Sequence, residues 1–403
     1  MAVNAGPTML SRNISTLWVT FTRLDADLHK TALLQTLSQL SKNGNRCSLI
    51  AVQSSGRYKN QNPSVQVTPI PLRYKPFIST VIFTALLALL LPVFALRSKA
   101  DYLIFDPDVH ILSAFPALIA LRAKKTKFVL DIRTLPVETA GLSGYLKNVF
   151  FSLSVVTAKK FFHGITIITP SMKEKVCSDF ILPSRNVGVW TSGVSEGLFN
   201  PANYASEGKS FRASLGLSEK FVVFYHGVFS ANRGLTQTVN AIKILQAKYP
   251  QIVLFLLGTG PIVTALKASV KQNGLQENVI IADPVNQEKV PKYISMSDVA
   301  IIPLPDHPFW RFQSPLKLLE YLAMEKTVIL TNIEAHSSVI KNTPCGIYIS
   351  SIDPPEIAKA IEYAYQNSEF LEKWGKEGRV IILNRYTWGL VVEDLQNYLL
   401  TLK

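Results

Sequence analysis

The residues best suited to chemistry lie in the second half of this 403-residue chain. The segment FVVFYHGVFSANRGL (221–235) reads as a strand, a glycine-bearing loop and the first turn of a helix. Gly227 lets backbone approach a ligand closely, and Gly234 opens a helix whose free N–H groups attract phosphate. Arg233 stands at that mouth with a permanently charged fork that can grip an anion through two bonds. A tight strand-to-helix turn explains the same glycines without any ligand. FLLGTGP (255–261) ends another strand with Gly258 and Gly260 and is open to both readings. In SPLKLLEYLAMEKTVILTN (314–332), Ser314 and Pro315 form a helix start, with Leu316, Leu319 and Leu322 or Ala323 as the buried stripe. Lys317 and Glu320 then share one exposed face. They are either a surface ion pair of little worth or a lysine for a diphosphate beside a carboxylate for hydroxyl groups, and spacing leaves both open.

Elsewhere the chemistry is sparser. Asp131 and Arg133, in VLDIRTLPVE (129–138), follow a strand, where an ion pair closing the strand end is the plain reading. Asp106-Pro107-Asp108 has the look of a metal-binding DxD triplet, but its place after a strand reads as a strand-to-helix cap. The six histidines, at 29, 110, 163, 226, 307 and 336, show no ligand spacing, and no metal requirement is expected. His226 alone falls in a motif, where packing or a phosphate-loop contact suits it. Cys47, Cys177 and Cys345 are far apart, which excludes a disulfide framework and a structural zinc site and fits a reducing compartment. The net charge of +14 is carried by scattered lysines and arginines without a nucleic-acid reader motif. It points instead to anionic lipid or an anionic small substrate. The N-terminus lacks the basic-then-apolar pattern of a signal peptide, so no export is expected.

The elements that must position these residues alternate between short β-rich runs and amphipathic helices, in two series. The first has strands at 17–22, 46–52, 102–105, 128–131, 164–168 and 187–190. Its helix at 30–43 puts Leu33, Leu34, Leu37 and Leu40 on one face, with Gly44 as the C-terminal cap. A polar stretch at 200–209 precedes the second series, with strands at 221–225, 253–257, 279–281, 299–302 and 327–330 and a helix at 315–324. Such alternation predicts α/β domains with parallel sheets covered on both faces. The expected division is a first domain over 1–195, a linker over 196–218, a second domain over 219–383 and a closing segment over 384–403. Open parallel sheets bind ligands at the carboxyl ends of their strands, which places the expected active site in a cleft between the two domains.

Near 77–97 the chain carries 21 uncharged, mostly apolar residues between Lys75 and Arg97. That length qualifies for a membrane span. Strands before and after it belong to one expected sheet, however, and a single crossing would separate them. The run is read as a helix, bent near Pro92, half buried in the protein and half dipped into a membrane interface. An internal core helix and a span or re-entrant hairpin are the alternatives. Arg73, Lys75, Arg97, Lys99, Arg122, Lys124, Lys125 and Lys127 bracket the region and suit an anionic leaflet.

Four segments in order, YHGVFSANRGL, LFLLGTGP, NVIIADPVNQEKVPKYISMSDVAIIPL and SPLKLLEYLAMEKTVILTN, resemble glycosyltransferase family 4, whose members have the GT-B fold. WTSGVSEGLFNP (190–201) is similar to the segment that joins that family's domains, and GRVIILNRYTWGLVVEDL (378–395) to its closing helix, which crosses back to the first domain. The resemblance is strong over about 160–400 and only a matter of pattern before that. It implies two Rossmann-like, doubly wound domains and a retaining transfer of sugar from a nucleotide-diphosphate sugar. Arg233 and Lys317 would hold the donor diphosphate, aided by Gly227, Gly234 and Ser314. Glu320, matching the second glutamate of an E-x7-E motif, would bind the ribose. Backbone at Pro284–Val285 would meet the base. The first glutamate of that motif is replaced by Phe312, which removes the basis for inferring the sugar. Asp131 and Arg133 fall where the family places acceptor-side and catalytic residues. Arg23, Asp25 and Asp27, in the loop at 21–28, stand where it has a glycine-rich loop. The apolar run extends this to a lipid-linked or surface-polysaccharide acceptor and a cytoplasmic enzyme, peripheral or monotopic on the inner face of the membrane. A sugar-nucleotide epimerase of the same fold and a catalytically silent partner subunit are the rivals.

Overall fold

The computed structural model describes residues 13–25, 30–54, 63–75, 77–136 and 141–403. They fall into two compact units, the first taking in the chain to Thr191 together with Val392–Lys403, the second being Ser192–Val391. Two expected boundaries shift. No separate linker exists at 196–218: Ala205–Ser214 is a helix of the second unit, and Phe211 packs edge-on against Tyr293 at 4.8 Å. Its polar sequence is the outward face of that helix. The closing helix, Trp388–Thr401, joins the first unit only from Val392. Residues before that are held in the second unit, where the Trp388 N–H donates to the Val194 carbonyl at 3.1 Å.

The first unit is a seven-stranded parallel sheet of β1 (Ser15–Arg23), β2 (Arg46–Gln53), β3 (Val65–Pro71), β4 (Tyr102–Phe105), β5 (Lys127–Ile132), β6 (Gly164–Ile167) and β7 (Val187–Val189). The order is β3-β2-β1-β4-β5-β6-β7. Sequence reasoning missed β3, because Pro69 and Pro71 interrupt its alternation. Proline cannot donate to a ladder, and β3 tolerates two because it is an edge strand. The helices are α1 (Lys30–Lys42), α2 (Ile78–Ser98), α3 (Ala114–Ala120), α4 (Gly141–Phe161) and α5 (Pro170–Phe180). Leu37 and Leu40 of α1 are buried and Leu33 and Leu34 half-buried, and Gly44 takes the left-handed conformation expected of its cap, with φ of +83°.

The apolar run is α2, and it continues through Pro92. Its buried residues, Ser79, Phe83, Leu87, Leu91 and Ala95, recur every fourth position and so form one stripe. That stripe packs on Leu17, Val19, Leu103 and Phe105 of β1 and β4. Ile78, Val81, Ile82, Leu89, Leu90, Val93 and Leu96 point outward and are exposed.

The second unit is a six-stranded parallel sheet of β8 (Phe221–Val228), β9 (Ile252–Thr259), β10 (Val279–Ala282), β11 (Val299–Ile302), β12 (Val328–Thr331) and β13 (Gly346–Ile349). The order is β10-β9-β8-β11-β12-β13. Both faces are covered, so Val222 and Phe224 enter one apolar cluster while Val223 and Tyr225 enter the other. This explains why β8 reads as a continuous apolar run. In each sheet the strand order reverses beside its first strand, between β1 and β4 and between β8 and β11. Loops leaving those strands diverge and open a crevice at their carboxyl ends.

Candidate active site

In the second unit the crevice is built from β8 upward. Tyr225 is buried, and His226 and Gly227 follow at the strand's carboxyl end. Gly227 has φ of +124°, and a Cβ on it would stand 2.5 Å from Cε of Lys317. Gly234, at φ +68°, has room for no side chain either, since a Cβ would run into the carbonyl oxygen of Pro303 just past β11. These two glycines let the loop at 229–234 fold down between β8 and β11. Arg233 is held there with its guanidinium 4.8 Å from the centroid of the buried Trp310 ring, its charge acting on the Tyr225 phenol. Its Nε is buried and has no hydrogen-bond partner among the described residues. An unpaired buried donor of this kind is costly unless an anion arrives.

Lys317 comes from the Leu316–Ala323 helix and places Nζ 5.4 Å from the Tyr225 ring centroid. Burial, and then the charge of Arg233, bring its pKa down to about 7, against a smaller upward pull from Glu320. Two cations thus converge on one tyrosine and repel each other. Glu320 is only 8% exposed. Its Oε2 lies 3.1 Å from Nε2 of His226, and its Oε1 accepts a bond from the Gln287 amide at 3.3 Å. The His226 backbone N–H donates to the Tyr321 hydroxyl at 3.0 Å, and Phe224 and Tyr321 flank the imidazole.

Several expectations for this helix change. Ser314 is not its cap: the cap position is Pro315, and the Ser314 hydroxyl instead accepts the Ser192 N–H at 3.3 Å. Leu316 is 37% exposed, while Leu318 through Ala323 are all buried. A helix of only eight residues, buried on nearly every side, has no broad solvent face, so Lys317 and Glu320 are not a surface pair. Glu320 turns to His226. Val285, after β10, is half-buried against the core cluster of this unit. Gly258 and Gly260 serve packing, because Cβ atoms there would meet the carbonyl oxygens of Gly227 and Phe229. Sequence reasoning missed Tyr225, Trp310 and Gln287 as parts of the site. They lie on three separate stretches, and only tertiary structure brings them together.

In the first unit Asp131 is held by its neighbours. It is 4% exposed, and its Oδ1 accepts bonds from the Thr166 hydroxyl at 2.7 Å and the Trp190 indole at 2.9 Å. Burial raises its pKa, with Arg133, Thr166 and Trp190 pulling the other way. Trp190 in turn carries Arg133, whose guanidinium lies 3.8 Å from the ring centroid and donates to the Trp190 carbonyl at 2.9 Å. Asp25 accepts bonds from Ser54, and Arg23 lies 4.3 Å from the Tyr74 ring centroid. Asp27 falls outside the described residues.

Comparison with known proteins finds similar sequences and folds. Residues 208–380 match the model described as Glycosyl transferases group 1. The matched region contains Gly227, Arg233, Gly234, Val285, Ser314, Lys317 and Glu320. An uncharacterized glycosyltransferase of Methanocaldococcus jannaschii is 25% identical over 236 residues, which is 58% of this chain and 58% of that protein. The capsular polysaccharide biosynthesis glycosyltransferase CapM of Staphylococcus aureus is 22% identical over 86% of this chain and 88% of its own. Among solved structures, Anabaena HepE in complex with UDP superposes with a TM-score of 0.75 at 12% identity, covering 96% of this chain and 100% of that one. The fold is GT-B, with two parallel-sheet α/β units.

Proposed function

We propose that this chain is a retaining glycosyltransferase of family 4. It moves a sugar from a nucleotide-diphosphate sugar to a lipid-linked or surface-polysaccharide acceptor at the cytoplasmic face of a membrane. The observation that carries the reading is the convergence of Arg233 and Lys317 on Tyr225, beside the Glu320–His226 pair, at the switch point of the second sheet. Two cations next to a helix start suit a diphosphate, and their charge stabilises it as it leaves. Because they supply that charge, the reaction needs no divalent metal, and transfer survives chelation with EDTA. Glu320 would accept bonds from the ribose hydroxyls, since a carboxylate has lone pairs beyond those used by His226 and Gln287. The backbone near Val285 would line the base, and Ser314 would stand beside the diphosphate. Bound UDP in HepE and the polysaccharide role in the name of CapM support the donor and acceptor classes.

The membrane part of the proposal concerns α2. Its inner stripe is fixed to the sheet, so the helix lies flat on the bilayer surface with Ile82, Leu89, Leu90 and Val93 turned to lipid. Arg73, Lys75, Arg97, Lys99, Arg122, Lys124 and Lys125 are exposed around it, a charge complement to anionic headgroups.

The test is a screen of labelled UDP-, GDP- and ADP-sugars with membrane extract as acceptor, followed by determination of the product's anomeric configuration. Transfer with retention is expected, and the absence of transfer from every donor would end the proposal. A second measurement addresses Glu320 alone. UDP binds the native protein more tightly than 2′,3′-dideoxy-UDP, and Glu320→Ala removes that difference; a preference that survives the substitution refutes the ribose contact.

A further inference from the structure

The α4 helix is more apolar on its outward side than on its inward one. Its buried residues, Gly144, Phe151, Ser154, Val155, Thr157 and Ala158, are mostly small or polar. Leu142, Tyr145, Val149 and Val156 recur at helical spacing and form one stripe, and that stripe is exposed, Leu142 by 74%. A surface helix ordinarily has the reverse pattern.

The stripe lies on the same face of the first sheet as α2 and α3. Ala114 and Ala117 of α3 and the inner stripe of α2 enter one apolar cluster with Phe105 and Phe128, and Phe162, just past α4, packs on that cluster. Two helices of 21 residues, α2 and α4, therefore flank the seven-residue α3. Phe83 of α2 meets His110, one turn before α3, edge-on at 5.9 Å. From the other side the Ser154 hydroxyl of α4 donates to the Asp108 carbonyl at 3.3 Å, and Phe161 meets Phe115 of α3 at 5.4 Å. Ile119 of α3, 70% exposed, continues the apolar surface between them. None of the three helices contains an aspartate or a glutamate. Lys160 at the end of α4 is exposed, as are Arg122, Lys124 and Lys125 after α3.

We propose that α4 is a second membrane contact, and that α2 and α4 together seat the first unit on an anionic bilayer. This rests on the reading of α2 as lipid-facing. An apolar surface spread over three neighbouring helices is more than a soluble monomer ordinarily leaves open. Lipid and a second copy of the chain would both cover it, and charge decides between them. A second copy would set Lys160, Arg122, Lys124 and Lys125 against a surface as basic as their own, whereas phosphate head groups neutralise them. Tyr145 suits the same boundary, with an apolar ring for the acyl region and a hydroxyl for the head groups. A unit resting on one helix can roll about that helix's axis. A second helix fixes the tilt and so holds the carboxyl ends of β1, β4 and β5 at one height above the head groups. That height selects among lipid-linked acceptors by how far the reacting hydroxyl stands from the bilayer.

The experiment uses the full chain and vesicles of phosphatidylcholine with or without phosphatidylglycerol. Leu142→Glu, Tyr145→Glu and Val149→Glu together are expected to lower partition onto the anionic vesicles about tenfold or more, with the melting temperature unchanged. The native chain is expected to bind pure phosphatidylcholine about tenfold more weakly than the mixed vesicles, and equal binding would overturn the choice of an anionic surface. A polarity-sensitive dye on Tyr145→Cys reports contact directly. A Cys177→Ser background leaves only the buried Cys47 and Cys345 as competing thiols. Emission is expected to shift to the blue on anionic vesicles and to be quenched by lipids with a nitroxide on the acyl chain, as for the same dye on Leu89→Cys. A response at Leu89 without one at Tyr145 would overturn the proposal and leave α2 as a lone contact. No response at either position would overturn both readings. Native-like vesicle binding by the triple α4 variant, or a dimer in solution that this variant breaks, would also overturn the proposal.

Discussion

Lys317→Ala lowers sugar transfer by about two to three orders of magnitude, the loss typical when one charge-stabilising donor is removed from a transition state. The same substitution weakens UDP binding by roughly 1.5–3 kcal/mol, the range for bonds to charged groups. Arg233→Ala behaves alike, because both cations meet at Tyr225. The lysine adds a pH signature that the arginine lacks. In the free protein its pKa is brought to about 7 by burial and by Arg233. A bound diphosphate restores the ammonium and lifts that value, so binding takes up a proton. Below pH 7 the lysine is already charged and affinity is flat; above it affinity falls with rising pH, by up to tenfold per unit, until the value in the complex is reached. Titration at pH 8 in buffers of different ionisation heat measures the proton directly. Zero uptake, or the same pH profile in Lys317→Ala, would remove Lys317 from the diphosphate site.

The second large effect belongs to α2. Replacing Leu89, Leu90 and Val93 together by glutamate is expected to reduce partition onto vesicles containing anionic lipid by about 100-fold or more. Each lost side chain forfeits roughly 1–2 kcal/mol of apolar burial, and each new charge is repelled by the leaflet. Thermal unfolding in solution should hardly change, because these residues are exposed. Phe83→Ala, on the opposite stripe, should do the reverse: it costs about 3–5 kcal/mol of stability and leaves the lipid-facing surface intact. Co-sedimentation with vesicles and a melting curve separate the two. Equal binding of the triple-glutamate variant would mean that α2 does not meet lipid.

The alternation of strands and helices was legible because buried parallel strands are apolar along their whole length, as in β8 and β9. The strands that escaped notice are both edges. β3 carries Pro69 and Pro71, and β13 is four residues long and opens on Gly346, so neither has the dense apolar run of a central strand. The cations of the donor site could be found from their loops, since Arg233 precedes a glycine at a helix start and Lys317 follows a Ser-Pro pair. Their surroundings could not. Glu320 and His226 are separated by 94 positions, and nothing local says that the glutamate turns inward. The surroundings of Asp131 were hidden for a similar reason: Thr166 and Trp190, which bond to it, lie 35 and 59 positions away. The triplet at 106–108 supplies its cap through Asp108, while Asp106 accepts a bond from Thr20.

Residues 392–403 complete a unit whose other members all precede residue 192. The phenol of Tyr398 fills space left by Gly164 and Gly188, accepts the Ile165 N–H at 3.1 Å and donates to the Asn186 carbonyl at 2.6 Å. Gln396 meets Asn45, and the Leu399 carbonyl takes the Tyr102 hydroxyl. During synthesis the first half of the molecule must therefore wait, with a hole at those glycines, until the whole of the second has left the ribosome. The part made first is the part finished last.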